Sequence, residues 1–567
     1  MTRTLLFFFL LVSCVYSAEY YVRVDGRDAN SGTQNTALGA WATLAKANQM
    51  AQPGDTIIIG PGEWKEGRVT TLRDGTPQAP IVWQGTSNTE TKISTTSWLP
   101  YSFIVKHDHI HFKSIRFVNS SLNVFYGADK GLVEGCIFQQ PNHSHIYFEG
   151  GTETHMKDWV IRNCEFRDAS DLISAQACIR LTGSNHLFEN NYFTSAIGGS
   201  DVFHYLGKGT IIRGNTFENW GVRPGSRNHV DLIQSFTTNS ANVAEDLIFE
   251  RNFCRNMNGV QFGNVTDKAL TGRVRNWLFR NNILHRVSNT MNLYAPGFRF
   301  YNNTFSYCYG SAGQIMFNGS TDRGVASTGF FSNNIFYKCG VNPANKEQGW
   351  PSNNASAGQI SASHNLVIGI GDGRLKNTAT RWTRYGMLGN SLNGVEPLFV
   401  GEAAINAGNA TTPVTANDFR LKPNSPVLAM GINLSQFVTN DFNGDPRPAS
   451  GPWDIGAVMV SNLPPPLPPD TDAPQLRCTN ITSTGTKIIL CFNEFVQGVD
   501  ASHFNVAGFT LTNAQGVGPN WTLDISPAVS PSAELTMFYT GGAGRIEDVA
   551  GNLLPNGTFN LVNGAIP

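Results

Sequence analysis

The chain has 567 residues, of which 15% are charged and 57 are glycine, and its formal net charge is −1 at pH 7. This length allows two or more domains. The near-zero charge argues against a nucleic-acid partner, which would require a strongly basic face. Beyond the first residues, the sequence has no apolar run long enough to span a bilayer.

Residues 1–18 are predicted to be a secretory signal. Arg3 precedes the apolar run Leu5 to Val12, which is too short for a membrane span. Two ways of processing stay open. Val15-Tyr16-Ser17 suits a signal-peptidase cut, whereas Leu11-Val12-Ser13-Cys14 matches a bacterial lipoprotein box that would lipidate Cys14. The protein is therefore expected to be secreted or held at the cell surface, with the secreted product favoured.

Residues 20–64 predict a strand, a Gly/Asn/Ser loop, a short amphipathic helix and a second strand from Thr56 to Ile59. The helix has apolar side chains at Trp41, Leu44, Ala45 and Ala47.

A short phrase then returns along the chain. It reads Asn-Asn followed by two β-forming residues at 190–193, 281–284, 302–305 and 333–336, with weaker copies at 163–166, 214–217, 251–254 and 364–367. The second position of the phrase forms one column, which also extends backwards: Ile115, Cys136, Cys164, Asn191, Asn215, Asn252, Asn282, Asn303, Asn334 and Asn365. The steps range from 21 to 37 residues. Such spacing indicates a stacked-repeat fold.

Each phrase follows a run too short for a helix and rich in β-branched or aromatic residues, such as Thr210-Ile211-Ile212, so the runs are predicted to be strands. Asn suits a tight bend, and bends stacked in parallel coils would let one amide bond the next, about 4.8 Å away. The pattern resembles the right-handed parallel β-helix of the pectate-lyase-like superfamily. The resemblance implies an all-β fold of about 11 to 13 coils over residues 19–460.

The resemblance also covers both ends of this region. Residues 20–64 are similar to the first segment of secreted β-helix proteins, in which the helix caps the first coil. Coils are expected to about residue 432, and residues 441–460 resemble a closing segment. Asp441, Asn443 and Asp445 raise the question of calcium, but a structural turn is favoured because the loop lacks the bidentate Glu of an EF-hand.

Residues 461–471 form a stiff Pro-rich linker, and residues 472–567 resemble a bacterial immunoglobulin-like β-sandwich. This module shows no catalytic constellation, so it is interpreted as a spacer or attachment module. Cys478 and Cys491 lie on its consecutive predicted strands and are candidates for a disulfide.

Export permits disulfides inside the coils as well. Cys136 and Cys164 share one column on neighbouring coils, and so do Cys308 and Cys339. A coil spacing of about 4.8 Å is compatible with a bridge in each pair, and free stacked thiols are the equal alternative.

In this fold one long sheet usually forms the floor of a carbohydrate groove. Its strands are predicted at 145–148, 178–181, 202–205, 230–235, 259–264, 290–294 and 314–317. Strand parity then gives an outward row of mostly hydrogen-bonding residues. That row is Tyr147, Arg180, His204, Gln234, Gln261, Asn292 and Met316.

The insertion 221–231 adds Arg227, His229 and Asp231 beside this row, and Trp350 lies in a second long loop that could wall the groove. Elimination at a uronate requires a cation or amide to offset the carboxylate and a base to take the neighbouring proton. His204 or His229 is predicted to be the base, and Arg180 or Arg227 the neutralising cation. Asp231 would hold His229 or an arginine. The residues predicted to bind sugar are Tyr147, Tyr205, Gln234, Gln261, Asn292 and Trp350.

The expected function is therefore cleavage of an acidic polysaccharide by a lyase. Hydrolysis is the first alternative, with Glu149, Asp171, Asp201 and Asp231 as candidate carboxylates. A non-catalytic glycan-binding or surface-structural protein is the second. No cofactor follows from the residues, although calcium stays open. Four patterns are not found: the Asp-Asp pattern of polygalacturonase-like hydrolases, the acidic calcium cluster of classical pectate lyases, the lysine-and-arginine motif of chondroitinase B-like lyases and the Asp-Pro-His pattern of alginate epimerases.

Overall fold

The computed structural model describes the chain at residues 17–95, 101–141, 143–150, 155–169, 177–194, 197–198, 200–222, 230–236, 243–257, 260–266, 274–287, 291–293, 296–308, 315–317, 328–339, 360–368, 392–407, 413–460, 473–482, 484–492, 496–517, 520–530, 533–540, 545–548 and 552–563. The chain divides into two compact units, Met1–Ser461 and Asn462–Pro567. No helix in these ranges is long and apolar enough to cross a membrane.

Three long sheets of parallel strands build the first unit. The first sheet contains Glu19–Val22, Thr56–Ile59, Ile81–Gly85, Ile110–Lys113, Leu132–Glu134, Val160–Arg162, Leu187–Glu189, Ile211–Arg213, Ile248–Glu250, Leu278–Arg280, Phe298–Tyr301, Gly329–Ser332 and Ile360–Ser363. Each strand pairs with its counterpart one coil earlier and one coil later, so the sheet runs along the whole stack.

The second sheet carries the predicted groove strands. It contains Val69–Thr70, Tyr101–Val105, Ser121–Val124, Ile146–Phe148, Ala177–Ser184, Asp201–Lys208, Val230–Phe236, Val260–Thr266, Met291–Leu293 and Ile315–Phe317, extended at one side by Ala244–Glu245 and Val274–Arg275. Every groove strand predicted from the sequence overlaps one of these.

The third sheet follows the first in each coil. It contains Gly62–Trp64, Thr91–Ser94, Arg116–Val118, Ile137–Gln139, Glu165–Arg167, Tyr192–Thr194, Thr216–Glu218, Phe253–Met257, Ile283–Val287, Thr304–Ser306, Ile335–Tyr337, Leu366–Ile368 and Leu392–Asn393. A small parallel pair, Ile197–Gly198 with Gly221–Val222, stands apart. Successive parallel strands in one sheet are joined by right-handed connections almost without exception. The predicted right-handed parallel β-helix is confirmed.

The asparagine ladder is present and continuous from Asn191 to Asn365. The Asn191 amide donates 2.9 Å to the carbonyl of Ile161 one coil back and 3.0 Å to Oδ1 of Asn215 one coil on, and the Asn191 backbone N–H donates 2.8 Å to that same Oδ1. The same three contacts recur at Asn215, Asn252, Asn282, Asn303 and Asn334. All of these asparagines are buried. The bend itself is made by the residue before each of them, which has left-handed backbone, as at Asn190 with φ 53°.

Cysteine thiols continue this column at the amino-terminal end. Cys136 and Cys164 are free thiols, not the disulfide that the sequence left open. Each Sγ contacts a carbonyl on the preceding coil, three residues before the column residue of that coil. Cys136 Sγ lies 3.7 Å from Phe112 O, and Cys164 Sγ lies 3.6 Å from Val133 O. These carbonyls correspond to those that accept from the asparagine amides, so the thiols take the place of the amide donors.

Cys308 and Cys339 are also free, so a bridge is wrong there as well. Cys308 Sγ lies 3.3 Å from the carbonyl of Leu284, which is the same kind of contact. In both pairs the thiols also contact carbonyl groups, and neither pair forms a bridge. Burial raises the pKa of Cys164 and Cys339, which keeps these thiols protonated.

The outward face of the first sheet carries a row of alternating charge. Its register sets Lys113, Glu134, Arg162, Glu189, Arg213, Glu250 and Arg280 side by side on successive coils. Arg162 lies 2.7 Å from Glu134, Arg213 lies 2.7 Å from Glu189, and Arg280 lies 2.5 Å from Glu250. Cross-strand pairs of opposite charge stabilise a sheet.

The first coil is covered by the helix Leu44–Met50. Thr43 caps its amino end by accepting from the Lys46 N–H, and Leu44 and Ala47 are buried. Trp41 stacks on Tyr20 of the first strand at 4.8 Å, whereas Ala45 is exposed. The predicted cap is therefore present, with three of its four apolar positions facing inward.

The segment described at residues 396–407 and 413–460 adds no strand to the three sheets of the coils. This segment contains the short helix Glu402–Ala407 and the 3₁₀ turn Ala416–Phe419, and its apolar side chains cover the outer face of the third sheet. There Phe253, Ile283 and Leu366 share a buried cluster with Phe399 and Phe419. The expectation that coils continue to about residue 432 is wrong. The outward residues of the late coils are apolar, and this segment covers them instead of adding further coils.

Buried Arg447 fastens this cover to the coils. It donates 3.0 Å to Asn281 Oδ1 and 2.8 Å to the carbonyl of Gly456. Asp441 is likewise buried, and its carboxylate accepts the backbone N–H groups of Asn443, Asp445 and Met459. These contacts are those of the structural turn favoured by the sequence.

The second unit is a small β domain. One seven-stranded sheet runs in the order Phe504–Val506, Leu535–Tyr539, Gly557–Asn563, Leu476–Ile481, Lys487–Phe492, Asn520–Ser526 and Thr510–Val517. The pair Val496–Gln497 with Glu547–Asp548 and the turn Ala501–His503 complete it. Cys491 is disulfide-bonded, and the residue paired with it in the antiparallel ladder is Cys478.

Candidate functional site

The outward row of the second sheet is the one predicted, with one correction. The register aligns Asn123, Tyr147, Arg180, His204, Gln234, Asn264, Asn292 and Met316. Asn264 stands where Gln261 was expected, because Ile233 pairs with Gly263 and not with Val260. A glycine gives no apolar signal at an inward position. Gln261 instead lies beside Asp231.

The strand Asp201–Lys208 breaks its alternation just before this row. Val202 and Phe203 are both fully buried. Asp201 and His204 therefore lie on the same side of the strand although they are three positions apart. His204 Nε2 lies 2.8 Å from Asp201 Oδ2. Since a carboxylate accepts, Nε2 carries the proton and Nδ1 keeps the lone pair. The His204 side chain is 20% exposed.

The next strand repeats the arrangement. Leu232 and Ile233 are fully buried, and the Gln234 amide donates 2.9 Å to Asp231 Oδ2. The Asp231 backbone N–H donates 2.6 Å to Asp201 Oδ1, so both oxygens of Asp201 accept a hydrogen bond. Within the described residues Asp231 holds Gln234. The partners predicted for it, His229 and a loop arginine, lie outside those residues. Two aspartates thus lie side by side on adjacent strands, each beside a residue of the outward row.

On the amino-terminal side, Arg180 lies over the ring of Tyr147, 5.0 Å from its centroid. Two further rings close around Tyr147: Tyr101 at 5.9 Å and His143 at 5.1 Å. Asn123, one coil back, donates 3.1 Å to Glu149. Arg180 therefore has an aromatic neighbour on one side and His204 on the other.

The electrostatics of this group follow from burial. Burial of the phenol raises the pKa of Tyr101, with Tyr147 and Glu149 adding to the rise and Arg180 opposing it. Burial lowers the pKa of His143, and Arg180 lowers it further. Both side chains are thus held uncharged near neutral pH, and two cations act on Tyr101: Arg180, which lies over Tyr147, and Arg68.

Tyr205 is not a sugar-binding residue. Its side chain is fully buried, it donates 2.7 Å to the carbonyl of Glu245, and its ring lies 5.7 Å from Trp277. Two residues after inward Phe203, it continues the inward set. The prediction of Tyr205 as a sugar-binding residue departed from strand parity, and here a backbone carbonyl satisfies its hydroxyl inside the core.

Arg227, His229 and Trp350 lie outside the described residues, as does Asp171. For Gln261, Asn264, Asn292 and Met316 the structure gives the backbone register alone. The described part of the chain contains no group of three or more His, Cys, Asp or Glu side chains that could hold a metal ion.

The sequence missed Tyr101 and His143 as parts of the site. Tyr101 begins a strand that pairs with Ser121 and then shifts register, so parity does not reveal its direction. His143 precedes its strand in a loop. Asp201 was considered as a hydrolytic carboxylate and not as the partner of His204, because an i, i+3 pair on one strand normally points to opposite faces.

This chain is similar to several solved structures. No family model and no curated protein sequence matches the chain. Among solved structures, pectate lyase Pel9A matches with a TM-score of 0.44 and 16% identity, over 78% of this chain and 96% of that one. A rhamnogalacturonan lyase gives 0.41 and 14%, over 56% and 87%. The alginate lyase AlyGC gives 0.39 and 15%, over 63% and 53%.

Proposed function

We propose that this protein is an exported polysaccharide lyase that cleaves a uronic-acid-containing glycan by β-elimination on the outward face of the second sheet. The observation that carries the proposal is the juxtaposition of Arg180 and His204. They are direct neighbours on adjacent strands, about 4.8 Å apart at the backbone. One is a permanent cation and the other a base with its proton fixed by Asp201.

The chemistry follows from these roles. Arg180 offsets the charge of the uronate carboxylate, which makes the proton on the neighbouring carbon acidic. His204 Nδ1 takes that proton as general base. The electron pair left behind forms a double bond in the ring, the bond to the glycosidic oxygen breaks, and the departing oxygen takes a proton from solvent. The products are a new chain end and an unsaturated uronate.

The remaining residues support the glycan. Tyr147 offers an aromatic face beneath Arg180, and Gln234, Asn264 and Asn292 follow His204 in the outward row. Arg227, His229 and Trp350 remain proposed contributors from the loops beside this face. Calcium remains open as an added counter-charge for the uronate.

The test is to incubate the purified protein with a panel of uronate polysaccharides, with and without calcium, and to follow the ultraviolet absorbance of the unsaturated product. His204→Ala and Arg180→Lys should abolish or strongly reduce the signal. The matched controls are His111→Asn and Arg213→Lys, which lie on the outward face of the first sheet. Equal loss in the controls would point to unfolding and contradict the assigned roles.

A second candidate, hydrolysis, is favoured by one observation: Asp201 and Asp231 occupy equivalent positions on adjacent strands, beside the same row. A pair of carboxylates is what a glycosidase needs. New reducing ends without unsaturated product, lost in Asp231→Asn, would support that reading. Binding without either product would leave a glycan-binding protein.

A further inference from the structure

Tyr147 and His204 flank Arg180 on the outward face of the second sheet. Arg180 pairs directly with Tyr147 on one neighbouring strand and with His204 on the other. Two strand spacings separate the backbones of Tyr147 and His204, which is about 9.6 Å. A uronate held by Arg180 therefore lies between a phenol and an imidazole.

The elimination proposed for this face moves two protons. His204 Nδ1 takes one from the carbon beside the carboxylate, and the glycosidic oxygen gains the other as its bond to carbon breaks. A phenol, with an ordinary pKa of about 10, is a much stronger acid than water, with a pKa of about 15.7. A positioned acid therefore speeds the departure of the oxygen, commonly by about 10²- to 10⁴-fold.

Three ring contacts hold the Tyr147 side chain in place. The Arg180 guanidinium lies 5.0 Å from its centroid, and the rings of Tyr101 and His143 lie at 5.9 Å and 5.1 Å. These contacts involve the ring and not the hydroxyl. The hydroxyl, at the far end of a half-buried outward side chain, is the part of Tyr147 that a bound glycan meets.

The other groups around Tyr147 are less suited to supply a proton. Burial raises the pKa of Tyr101, and its hydroxyl lies 3.4 Å from His143 Nδ1. Burial and Arg180 lower the pKa of His143, so this imidazole carries no extra proton near neutral pH. Glu149 lies two residues further along the chain, where its carboxylate already accepts a hydrogen bond.

Arg180 also lies where charge develops on Tyr147. Loss of the phenolic proton leaves an anion, and a guanidinium 5.0 Å from the ring stabilises it. Beyond the larger effect of burial, Glu149 raises the pKa of Tyr101 and Arg68 lowers it, so these two charges oppose each other within the aromatic group. Of the three charges, Arg180 is the one placed against the Tyr147 ring.

We propose that Tyr147 is the general acid of the elimination, and that the proton taken by the departing oxygen passes through its hydroxyl. As His204 Nδ1 removes the proton from carbon, the electron pair forms the double bond, the bond from carbon to oxygen breaks and the Tyr147 hydroxyl protonates that oxygen. The phenolate then regains a proton from solvent, and the imidazolium loses one. This inference rests on the proposed function and assigns the second proton transfer within it.

The first experiment measures kcat and KM of Tyr147→Phe on whichever uronate glycan the full-length protein cleaves. The ring and its contact with Arg180 are kept, so we expect kcat to fall about 10²- to 10³-fold with KM changed less than threefold. Tyr21→Phe is the matched control, because it removes a hydroxyl that bonds Glu19 at the surface of the first strand. Its kcat should equal that of the unaltered protein.

A second substrate separates acid catalysis from positioning. It is a synthetic oligosaccharide of the same uronate that carries a 4-nitrophenoxy group at the carbon where the glycosidic oxygen is normally attached. Nitrophenolate leaves without protonation, so Tyr147→Phe should cleave this substrate within threefold of the unaltered protein. His204→Ala should remain inactive on both substrates, since the proton on carbon must still be removed.

The outcomes distinguish this assignment from the proposed function. An unchanged kcat of Tyr147→Phe on the glycan overturns the acid role, keeps the lyase, and indicates that His204 or solvent protonates the oxygen. Equal losses on the glycan and on the nitrophenoxy substrate also overturn it, because Tyr147 would then only position the sugar. No unsaturated product from the unaltered protein with any uronate glycan overturns the lyase and the acid role together.

Discussion

Asp201 and His204 form a hydrogen-bonded pair from one strand although their spacing would normally send them to opposite faces. The pair exists because Val202 and Phe203 both enter the core, and the 2.8 Å contact fixes the proton on His204 Nε2. The same interruption on the next strand brings Asp231 to Gln234. The local break in alternation is therefore what assembles the candidate site.

The variant Asp201→Asn should lower kcat by about 10²- to 10⁴-fold, close to the effect of His204→Ala. The Asp231 N–H must still meet an acceptor, so the amide oxygen will face it and the amide N–H₂ will face His204. That arrangement places the imidazole proton on Nδ1 and removes the base. The measurement is kcat and KM against pH on whichever glycan is cleaved. A rise in KM with an unchanged kcat would contradict this tautomer argument.

Replacing Asn191 by Ala should destabilise the β-helix by about 2 to 4 kcal/mol, because several buried hydrogen-bonding groups lose their partners. The affected groups include the Cys164 N–H and the carbonyl of Ile161. The neighbouring variant Asn190→Gly is the control: Asn190 is exposed and has φ 53°, which glycine adopts freely. Urea unfolding followed by circular dichroism compares the two. Equal midpoints would show that the ladder adds no stability.

The variant Cys164→Asn should extend the ladder by one coil and keep or raise stability. Its amide would reach the Val133 carbonyl now faced by the thiol, and Asn191 Oδ1 already lies next in the column. Cys164→Leu, of similar burial but without a donor, should lose about 1 kcal/mol or more. Thermal unfolding of both variants tests this, and a Tm of the asparagine variant below that of the leucine variant would contradict it.

Stability should fall in mild acid because buried histidines stay neutral in the fold. Burial lowers the pKa of His145 to about 3 and of His186 to about 4. Between the ordinary value of 6.5 and these values, the unfolded chain binds protons that the folded chain does not. The free energy of unfolding therefore decreases as pH falls through this window, by about 1.4 kcal/mol per pH unit for each histidine.

Urea unfolding at several pH values between 7 and 4 measures this slope. The variant His186→Gln removes one titrating group, so its slope should be smaller by the contribution of one histidine. A slope that is the same with and without His186 would assign the acid sensitivity to other groups.

Tyr205 and Tyr147 should respond differently to loss of the hydroxyl. Tyr205→Phe removes the buried bond to the Glu245 carbonyl and should cost about 1 to 2 kcal/mol of stability with activity retained. Tyr147→Phe keeps the ring under Arg180 and should leave stability unchanged. Parallel melting and activity measurements distinguish the two, and an inactive but stable Tyr205→Phe would restore Tyr205 to the site.

The fold was predictable because the sequence pattern that indicates it, a turn after a short β-forming run, recurs in successive coils. One column residue in each coil, an asparagine from Asn191 onward, follows a β-forming run and is enough to set the register of ten positions from Ile115 to Asn365. The structure stacks them as predicted. The failures lie where the repeat is locally altered. Gly263 hides the inward position of its strand, and Tyr205 carries a polar group that the core satisfies internally.

The candidate site was harder to predict because it depends on departures from strand parity. No spacing rule brings Asp201 to His204, and Tyr101 lies just before a register shift that hides its direction. The thiol pairs show the same limit. Their column was correct, but the direction of each Sγ, toward a carbonyl one coil back, depends on the stacking itself.

The alternating row on the first sheet constrains how this molecule could have grown. A coil duplicated or lost singly between Lys113 and Arg280 would set two like charges side by side at the junction. A change of two coils leaves the alternation intact. Lengthening and shortening of the stack in this stretch should therefore proceed by pairs, so that the outer surface carries a record of even-numbered steps.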